Sequence, residues 1–163
     1  MVVSDTGPLL HLGEADALIL LSWTGDVSIP RAVDREMNQQ NPLWQGQRPT
    51  WIHVQELTAS YKIEAEAWQQ AGLLESGEAE AVSLARQVKA HWLLTDDAAA
   101  RLFAQTLGIE VHGSVGIVLW AAATGRLTRP DTEAALDRLA QSSLWISPKV
   151  LAEAKAALNQ LFP

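Results

Sequence analysis

The chain has 163 residues, a net charge of −7 and no cysteine; 48% of its residues are hydrophobic and 19% are charged. This composition is typical of one globular domain with its own core, and it excludes disulfides and thiolate metal sites. The acidic balance argues against a broad phosphate-binding surface, and no apolar stretch is long enough for a membrane span, so we expect a cytoplasmic protein without membrane contact.

Short apolar runs alternate with helical segments, which predicts an α/β fold with a parallel sheet covered by helices on both faces. The first half contains predicted strands at 1–4, 27–29 and 51–55, helices at 14–23, from 31 and at 64–71, and a polar loop over 38–49. The second half contains helices at 78–89 and 115–124, strands at 92–94 and 109–112, and a helix between these strands that ends at Gly108. We expect one domain over residues 1–163, with C-terminal helices that start near Pro130 and Pro148 packed on it.

The apolar run Trp92–Leu94 is followed, after Thr95, by the adjacent carboxylates Asp96 and Asp97. A buried strand that leads into a helix at an acidic pair puts charge at the carboxyl edge of a parallel sheet, where ligands bind in this fold class. Burying carboxylates there is costly unless a cation or hydrogen-bond donors compensate them. Taken alone, the pair is explained equally well by helix capping, with Asp96 as the N-cap and Asp97 favouring the helix dipole.

Other acidic residues at comparable places favour a shared site. Asp5 ends the first strand, Glu36 lies on the helix after Pro30, and Glu78 lies in the first turns of a mostly apolar helix. Converging carboxylates repel one another unless they bind a hard divalent cation, and Mg²⁺ or Mn²⁺ prefers such oxygen ligands. The pattern therefore predicts a metal site suited to phosphodiester hydrolysis. We also expect neutralisation of Asp96 to stabilise the metal-free fold.

Several segments, taken together and in this order, are similar to a known family. They are Val3–Leu10, Ile29–Glu36, Gly77–Ala85 and Leu93–Arg101, with a further similar segment at Leu107–Gly116. These segments resemble PIN-domain proteins, most closely the DUF3368 subgroup, whose genes often lie beside small antitoxin-like genes. The similarity runs over nearly the whole chain, so the resemblance implies a three-layer α/β/α sandwich.

The resemblance also implies an activity, a cofactor and partners. The chain would be a Mg²⁺- or Mn²⁺-dependent endoribonuclease, acting as the toxin of a toxin–antitoxin pair, with RNA, a small antitoxin-like protein and a second copy of itself as partners. The acidic site residues that it implies are Asp5, Glu36, Glu78 and Asp96. It leaves open whether Asp96 or Asp97 is the metal ligand, and whether Glu80 replaces Glu78.

Three further residues are candidates for contact with RNA. Thr6 resembles the small hydroxyl residue that often follows the first acid of the family, although a simple turn residue fits equally well. Arg101 is placed either to contact a scissile phosphate or to pair with nearby acids. Arg31 lies near Glu36 and is interpreted either as a contact to the RNA backbone or as part of a solvated helix face. The four histidines show no zinc-site spacing and are interpreted as structural.

Other classes of protein fit the pattern less well. Asp5-Thr6-Gly7 is the tripeptide of aspartic proteases, but only one copy is present and the chain lacks the strands of such a β fold. A receiver domain needs an acidic pair after its first strand and a lysine on a late strand, and neither is present. The remaining alternative is a PIN-like protein- or RNA-binding module with weak or no catalysis. Metal binding would distinguish an enzyme from such a module.

Aromatic residues in the polar loop and in the later helices are candidates for a protein interface. They are Trp44, Trp120, Trp145 and Phe162. We expect those that are exposed to dock an antitoxin-like protein whose basic side chain enters the acidic site. Packing in the core and a homodimer contact are the alternatives for these side chains.

Overall fold

The computed structural model describes all 163 residues and contains a five-stranded sheet in which every neighbouring pair of strands is parallel. The strands are β1 (Val2–Ser4), β2 (Val27–Pro30), β3 (Ile52–Gln55), β4 (Trp92–Leu94) and β5 (Val111–His112). Their order across the sheet is β3-β2-β1-β4-β5. The predicted α/β fold with a central parallel sheet is confirmed.

Helices flank the sheet, and none of them combines the length and low polarity that crossing a bilayer requires. They are α1 (Thr6–Glu14), a 3₁₀ helix (Leu18–Trp23), α2 (Arg31–Gln40), α3 (Trp44–Gln47), α4 (Ala59–Gln70), α5 (Ser76–Gln87), α6 (Ala98–Thr106), α7 (Ser114–Ala123), α8 (Arg129–Gln141) and α9 (Pro148–Leu161). Helix α5 packs against α4 and α6, whereas α1, α7, α8 and α9 form a second group. Helix α2 contacts both groups through α1 and α5.

The strands are short and apolar because the sheet is covered on both faces. Every residue of β1 and β2 is buried, and the core forms one cluster of 33 buried residues. Helix α5 contributes Ala79, Ala81 and Ala85 to this core, and it contacts β1, β2 and β4. The small alanine side chains let the backbone of α5 lie close to the sheet, which brings the start of that helix towards the strand ends.

Strand β1 lies where the chain reverses its progress across the sheet, because β2 and β3 follow on one side and β4 and β5 on the other. In open parallel sheets a crevice forms at this point, beyond the carboxyl ends of the strands. Asp5 directly follows β1, and Thr95 and Asp96 directly follow β4. The topology therefore places both aspartates at the crevice.

The first helix begins at Thr6, so the predicted helix over 14–23 is wrong. Asp5 caps this helix, and Pro8 is tolerated in its first turn because a proline there loses no helical hydrogen bond. Asp16 has a φ of 52°, which ends the helical path. The apolar residues that suggested a later helix form the 3₁₀ helix instead.

The predicted polar loop over 38–49 is wrong in part, because α2 continues to Gln40 and α3 follows. Trp44 of α3 is only 4% exposed, so it belongs to the core and is not an interface residue. Its indole N–H donates to Asp34 Oδ1 at 2.8 Å, and Arg48 donates to the same oxygen at 2.7 Å.

The remaining predicted elements differ from the structure mainly at their ends. Helix α4 begins at Ala59 rather than at residue 64, and β5 is shorter than the predicted strand over 109–112. The C-terminal helices α8 and α9 begin beside Pro130 and Pro148, and Ser147 caps α9.

Candidate active site

A cavity of about 500 Å³ opens at the carboxyl ends of β1 and β4. Six carboxylates line it and no lysine or arginine does; these acids are Asp5, Glu36, Glu75, Glu78, Asp96 and Asp97. The acidic residues that the sequence singled out at Asp5, Glu36, Glu78, Asp96 and Asp97 therefore face one space, which we call the acidic cavity. Their roles in metal binding and catalysis stay predictions.

Asp5 is the most deeply buried of these acids, with 6% of its surface exposed. Its Oδ1 accepts a hydrogen bond from the Thr6 amide at 2.7 Å, and its Oδ2 accepts one from Thr95 Oγ1 at 3.0 Å. Burial raises the pKa of Asp5 to about 7; these hydrogen bonds oppose the shift, and the charges of Glu78 and Glu36 add to it. Asp5 is thus an acid whose negative charge is poorly compensated within the protein.

Glu36 is fixed by two donors from different parts of the chain. Its Oε1 accepts from the Gly77 amide at 2.9 Å, and its Oε2 accepts from the Thr6 hydroxyl. Gly77 has to be small for this contact, because an added Cβ would lie 2.7 Å from Oε1 and 2.8 Å from Cδ of Glu36. Thr6 therefore connects the first acid of the cavity with the second.

We predict that Gly77→Ala leaves the fold intact but displaces the Glu36 carboxylate. Residue 77 lies in the first turn of α5 without a positive φ, and alanine is the better helix former there. The atoms that must move are the end of a flexible side chain, so the melting temperature should change little. A metal-dependent activity that uses Glu36 should fall by about 10- to 100-fold.

The matched control is Gly13→Ala in α1, where an added Cβ meets no atom within 4 Å. Both variants add one methyl group to a helix, but only Gly77→Ala touches the site. Equal activity losses in the two variants would contradict the proposed dependence of Glu36 on Gly77.

Asp96 differs from Asp5 because hydrogen-bond donors surround it. Its Oδ2 accepts from His11 Nδ1 at 2.7 Å and from Ser114 Oγ at 2.6 Å, and its Oδ1 accepts from the Ser114 amide at 2.7 Å. Burial by itself would raise the pKa of Asp96, but these hydrogen bonds outweigh it and hold the pKa below its ordinary range. Asp96 is therefore a carboxylate that the fold stabilises in its ionised form.

This arrangement reverses the expected effect of neutralising Asp96. We predict that Asp96→Asn destabilises the metal-free protein by about 1–3 kcal/mol, because an amide cannot accept all of these hydrogen bonds. Since the folded pKa is lowered, this stabilisation is present above the unfolded pKa and is lost as the pH falls through the folded value. Urea denaturation at neutral pH in EDTA measures the change, and a variant as stable as the wild type would contradict the prediction.

Glu78 and Asp97 cap the helices that border the cavity. Glu78 Oε2 accepts from the Glu75 amide at 2.9 Å, and Asp97 Oδ1 accepts from the Ala100 amide at 2.7 Å, so Asp97 and not Asp96 is the N-cap of α6. Burial raises the pKa of Glu78; the Glu75 amide opposes the shift, and the charges of Asp97, Glu75 and Glu36 add to it. Capping and a place in the acidic cavity are therefore compatible for both residues.

Three of the sequence candidates, Glu80, Arg31 and Arg101, do not line the acidic cavity. Glu80 Oε2 accepts from the Ala32 amide at 2.9 Å and so binds the first turn of α2. Arg31 is exposed and forms an ion pair with Glu56 at 2.5 Å.

Sequence reasoning missed His11 and Ser114, which both bind Asp96. His11 lies one turn after Gly7 on α1, and a Cβ at Gly7 would be 3.5 Å from the Cβ of Asp96. This spacing is visible in the sequence only once the helix is known to begin at Thr6. The signal for Ser114 is its place two residues after β5, at the same edge of the sheet as Asp5.

The donor set of the cavity fits a hard divalent cation, because it is rich in carboxylate oxygens and lacks a lysine or arginine to neutralise them. No three histidine, aspartate or glutamate side chains are gathered closely enough to hold an ion by themselves. Mg²⁺ usually keeps several waters and takes only one or two carboxylates from a protein. Asp5 and Glu78, whose pKa values are both raised by burial, could supply carboxylate oxygens to such an ion.

Comparison with known proteins agrees with this geometry. The family model described as DUF3368, a PIN domain, matches residues 1–160. No curated protein is similar enough to count as a match. PIN domains are in general metal-dependent nucleases. Because the match covers nearly the whole length, the chain belongs to the DUF3368 family of PIN domains.

Proposed function

We propose that this PIN domain is a Mg²⁺- or Mn²⁺-dependent endoribonuclease that hydrolyses RNA phosphodiester bonds in the acidic cavity. The observation that carries the proposal is Asp5, a carboxylate 6% exposed whose pKa is raised to about 7 among other acids. Such a group is stable as an anion only when a cation compensates its charge. In a nuclease fold, the same cation would also promote hydrolysis of a phosphodiester bond.

The acids of the cavity divide into two roles in this proposal. Asp5, Glu78 and Asp96 or Asp97 would hold the cation, which when bound would supply positive charge at the phosphate and lower the pKa of a bound water. Glu36 orients the attacking water, because its carboxylate is already fixed by Thr6 and Gly77. The Thr6 hydroxyl donates to Glu36, so we assign it to holding that carboxylate.

Cleavage of RNA by the purified protein in Mg²⁺, in Mn²⁺ and in EDTA tests the proposal. We expect cleavage with either cation and none in EDTA. The products should carry linear terminal phosphates, because water and not the neighbouring ribose hydroxyl is the nucleophile. Cyclic phosphate ends, or cleavage that persists in EDTA, would contradict metal-dependent hydrolysis. No cleavage under any of these conditions would favour the alternative function, a PIN-like binding module without catalysis.

We further propose that a small antitoxin-like protein inhibits this site. The acidic cavity and the net charge of −7 favour a basic segment, which would approach faster and could satisfy the carboxylates in place of the cation. Co-purification with the product of the adjacent gene tests this partner. If that product neither binds nor reduces cleavage, the toxin role is wrong even if the nuclease function stands.

The expected homodimer is tested by sedimentation of the purified chain.

A further inference from the structure

A second groove, with a volume of about 550 Å³, adjoins the acidic cavity and shares Asp96, Leu144 and Trp145 with it. We call it the apolar groove, because its other lining includes the side chains of Val111, Val115, Ile146 and Val150. Carboxylates and apolar side chains therefore form one continuous surface. A polymer bound in the acidic cavity would therefore continue directly into this groove.

Trp145 is the exposed residue at the border of the two spaces. It is 80% exposed, whereas the other tryptophans are buried or half-buried. Its neighbours Leu144 and Ile146 pack against the core, so the alternation of side chains turns the indole outwards. The segment that carries the exposed indole is therefore anchored to the core by the residues on either side of Trp145.

Glu14 holds this segment from the end of α1. Its carboxylate accepts from the Ser143 amide at 2.8 Å and from Ser143 Oγ at 2.7 Å. Helix α1 begins directly after Asp5, so one helix connects the acidic cavity with the segment that carries Trp145. Trp145 lies in the connection between α8 and α9, and the contact of Glu14 with Ser143 therefore constrains the position of its indole relative to Asp5.

Arg101 is the only lysine or arginine that lines the apolar groove. It is half-buried and forms no salt bridge; its guanidinium donates to the Thr95 carbonyl at 3.1 Å. A Cβ at Gly113 would lie 2.8 Å from Arg101 Nη2 and 2.8 Å from Asp96 Oδ1, so the glycine allows both groups to approach it. A guanidinium without a carboxylate partner, next to a nuclease site, is suited to a phosphate.

We propose that Trp145 stacks on a nucleobase beside the scissile phosphate while Arg101 contacts a neighbouring phosphate. This inference rests on the proposed nuclease function. Aromatic side chains combined with cations are how proteins hold single-stranded nucleic acid, and a base can stack on an indole only when its own face is free. Trp145 thereby makes the site specific for an unpaired nucleotide next to the cleaved bond. The free guanidinium and the shared wall with the acidic cavity favour RNA over a protein segment as the occupant.

Binding of a fluorescein-labelled oligouridylate, measured by fluorescence anisotropy with Mg²⁺ present, tests this inference. Oligouridylate has little structure of its own, and Asp5→Asn is added to the full-length chain so that the RNA stays intact. In this background, Trp145→Phe keeps an aromatic face, whereas Trp145→Leu keeps only apolar surface. We expect the Leu variant to bind about 10-fold more weakly and the Phe variant to stay within about threefold of its parent.

Two further variants sharpen the comparison. Arg101→Met should weaken binding and reduce the dependence of affinity on salt, because one phosphate contact is lost. Ile63→Ala removes a side chain that is 66% exposed on α4, away from both spaces, and should bind as its parent does. Melting temperatures establish that each variant is folded.

Equal affinities of the Leu and Phe variants would overturn the inference, as would equal binding of oligouridylate annealed to oligoadenylate. No measurable binding by the parent chain would also overturn it. A protein occupant is indicated if Trp145→Leu loses the adjacent gene product but not RNA. Failure of the nuclease proposal looks different: the wild type then cleaves nothing with any cation, while the difference between Leu and Phe remains.

Discussion

The Asp5→Asn variant is expected to be more stable than the wild type when divalent cations are absent, and the difference should grow with pH. The fold raises the pKa of Asp5 from 3.8 to about 7. The stability that protonated Asp5 contributes is therefore complete below about 3.8 and is lost as the pH rises through about 7. Asparagine carries no charge in this range and is also a good N-cap for α1. Above neutral pH the gain should be on the order of a few kcal/mol.

Urea denaturation in EDTA at about pH 5 and about pH 8 measures this difference. Asp34→Asn is the matched control, because Asp34 is also a buried carboxylate but has Arg48 and Trp44 as partners. Neutralising Asp34 weakens these contacts and should destabilise the protein by about 1–3 kcal/mol. If both substitutions change the free energy of unfolding in the same direction, the claim that the charge of Asp5 is uncompensated is contradicted.

Mg²⁺ or Mn²⁺ is expected to raise the melting temperature of the wild type as its concentration rises. A cation that binds only the folded state stabilises it by mass action, by about 2.7 kcal/mol at a concentration of about 100 Kd. For a chain of this size that corresponds to an increase of roughly 5–10 °C. The effect should be largest at alkaline pH, where Asp5 would otherwise be ionised without a counter-charge.

Asp5→Asn should lose most of this stabilisation by cations. Glu66→Gln, which neutralises an exposed acid on α4 far from the cavity, should keep it. Sodium chloride of equal ionic strength separates specific binding from screening of the surface charges. A melting temperature that does not change at saturating Mg²⁺ and Mn²⁺ would contradict the metal site.

The fold could be predicted from the sequence wherever the local pattern and the topology agree. Apolar runs such as Trp92–Leu94 are readable as buried strands, and parallel connections bring their carboxyl ends to one edge. The start of α1 could not be predicted in the same way, because Pro8 reads as a turn although a first helical turn accepts it. Trp44 was misplaced since its burial depends on the tertiary contact with Asp34.

The sequence allowed the acidic residues of the site to be predicted, but not the surroundings that set the pKa of each one. Asp5 and Asp96 have the same setting in the sequence, a carboxylate after a buried strand, yet their pKa values shift in opposite directions. The difference comes from His11 and Ser114, which reach Asp96 from helices remote in the sequence. The dependence of Glu36 on Gly77 is hidden for the same reason, because these residues lie on different helices. Only the fold shows that a side chain at position 77 would meet the Glu36 carboxylate.

The claim that RNA is hydrolysed in the acidic cavity is tested most directly by the single-turnover cleavage rate of Asp5→Asn in saturating Mn²⁺. The rate is compared with those of the wild type and of Glu66→Gln, and folding is checked by the melting temperature. We predict that Asp5→Asn is at least about 100-fold slower, the scale on which one electrostatic group acts on a transition state, while Glu66→Gln equals the wild type. Cleavage by folded Asp5→Asn at the wild-type rate would contradict a catalytic site at these carboxylates.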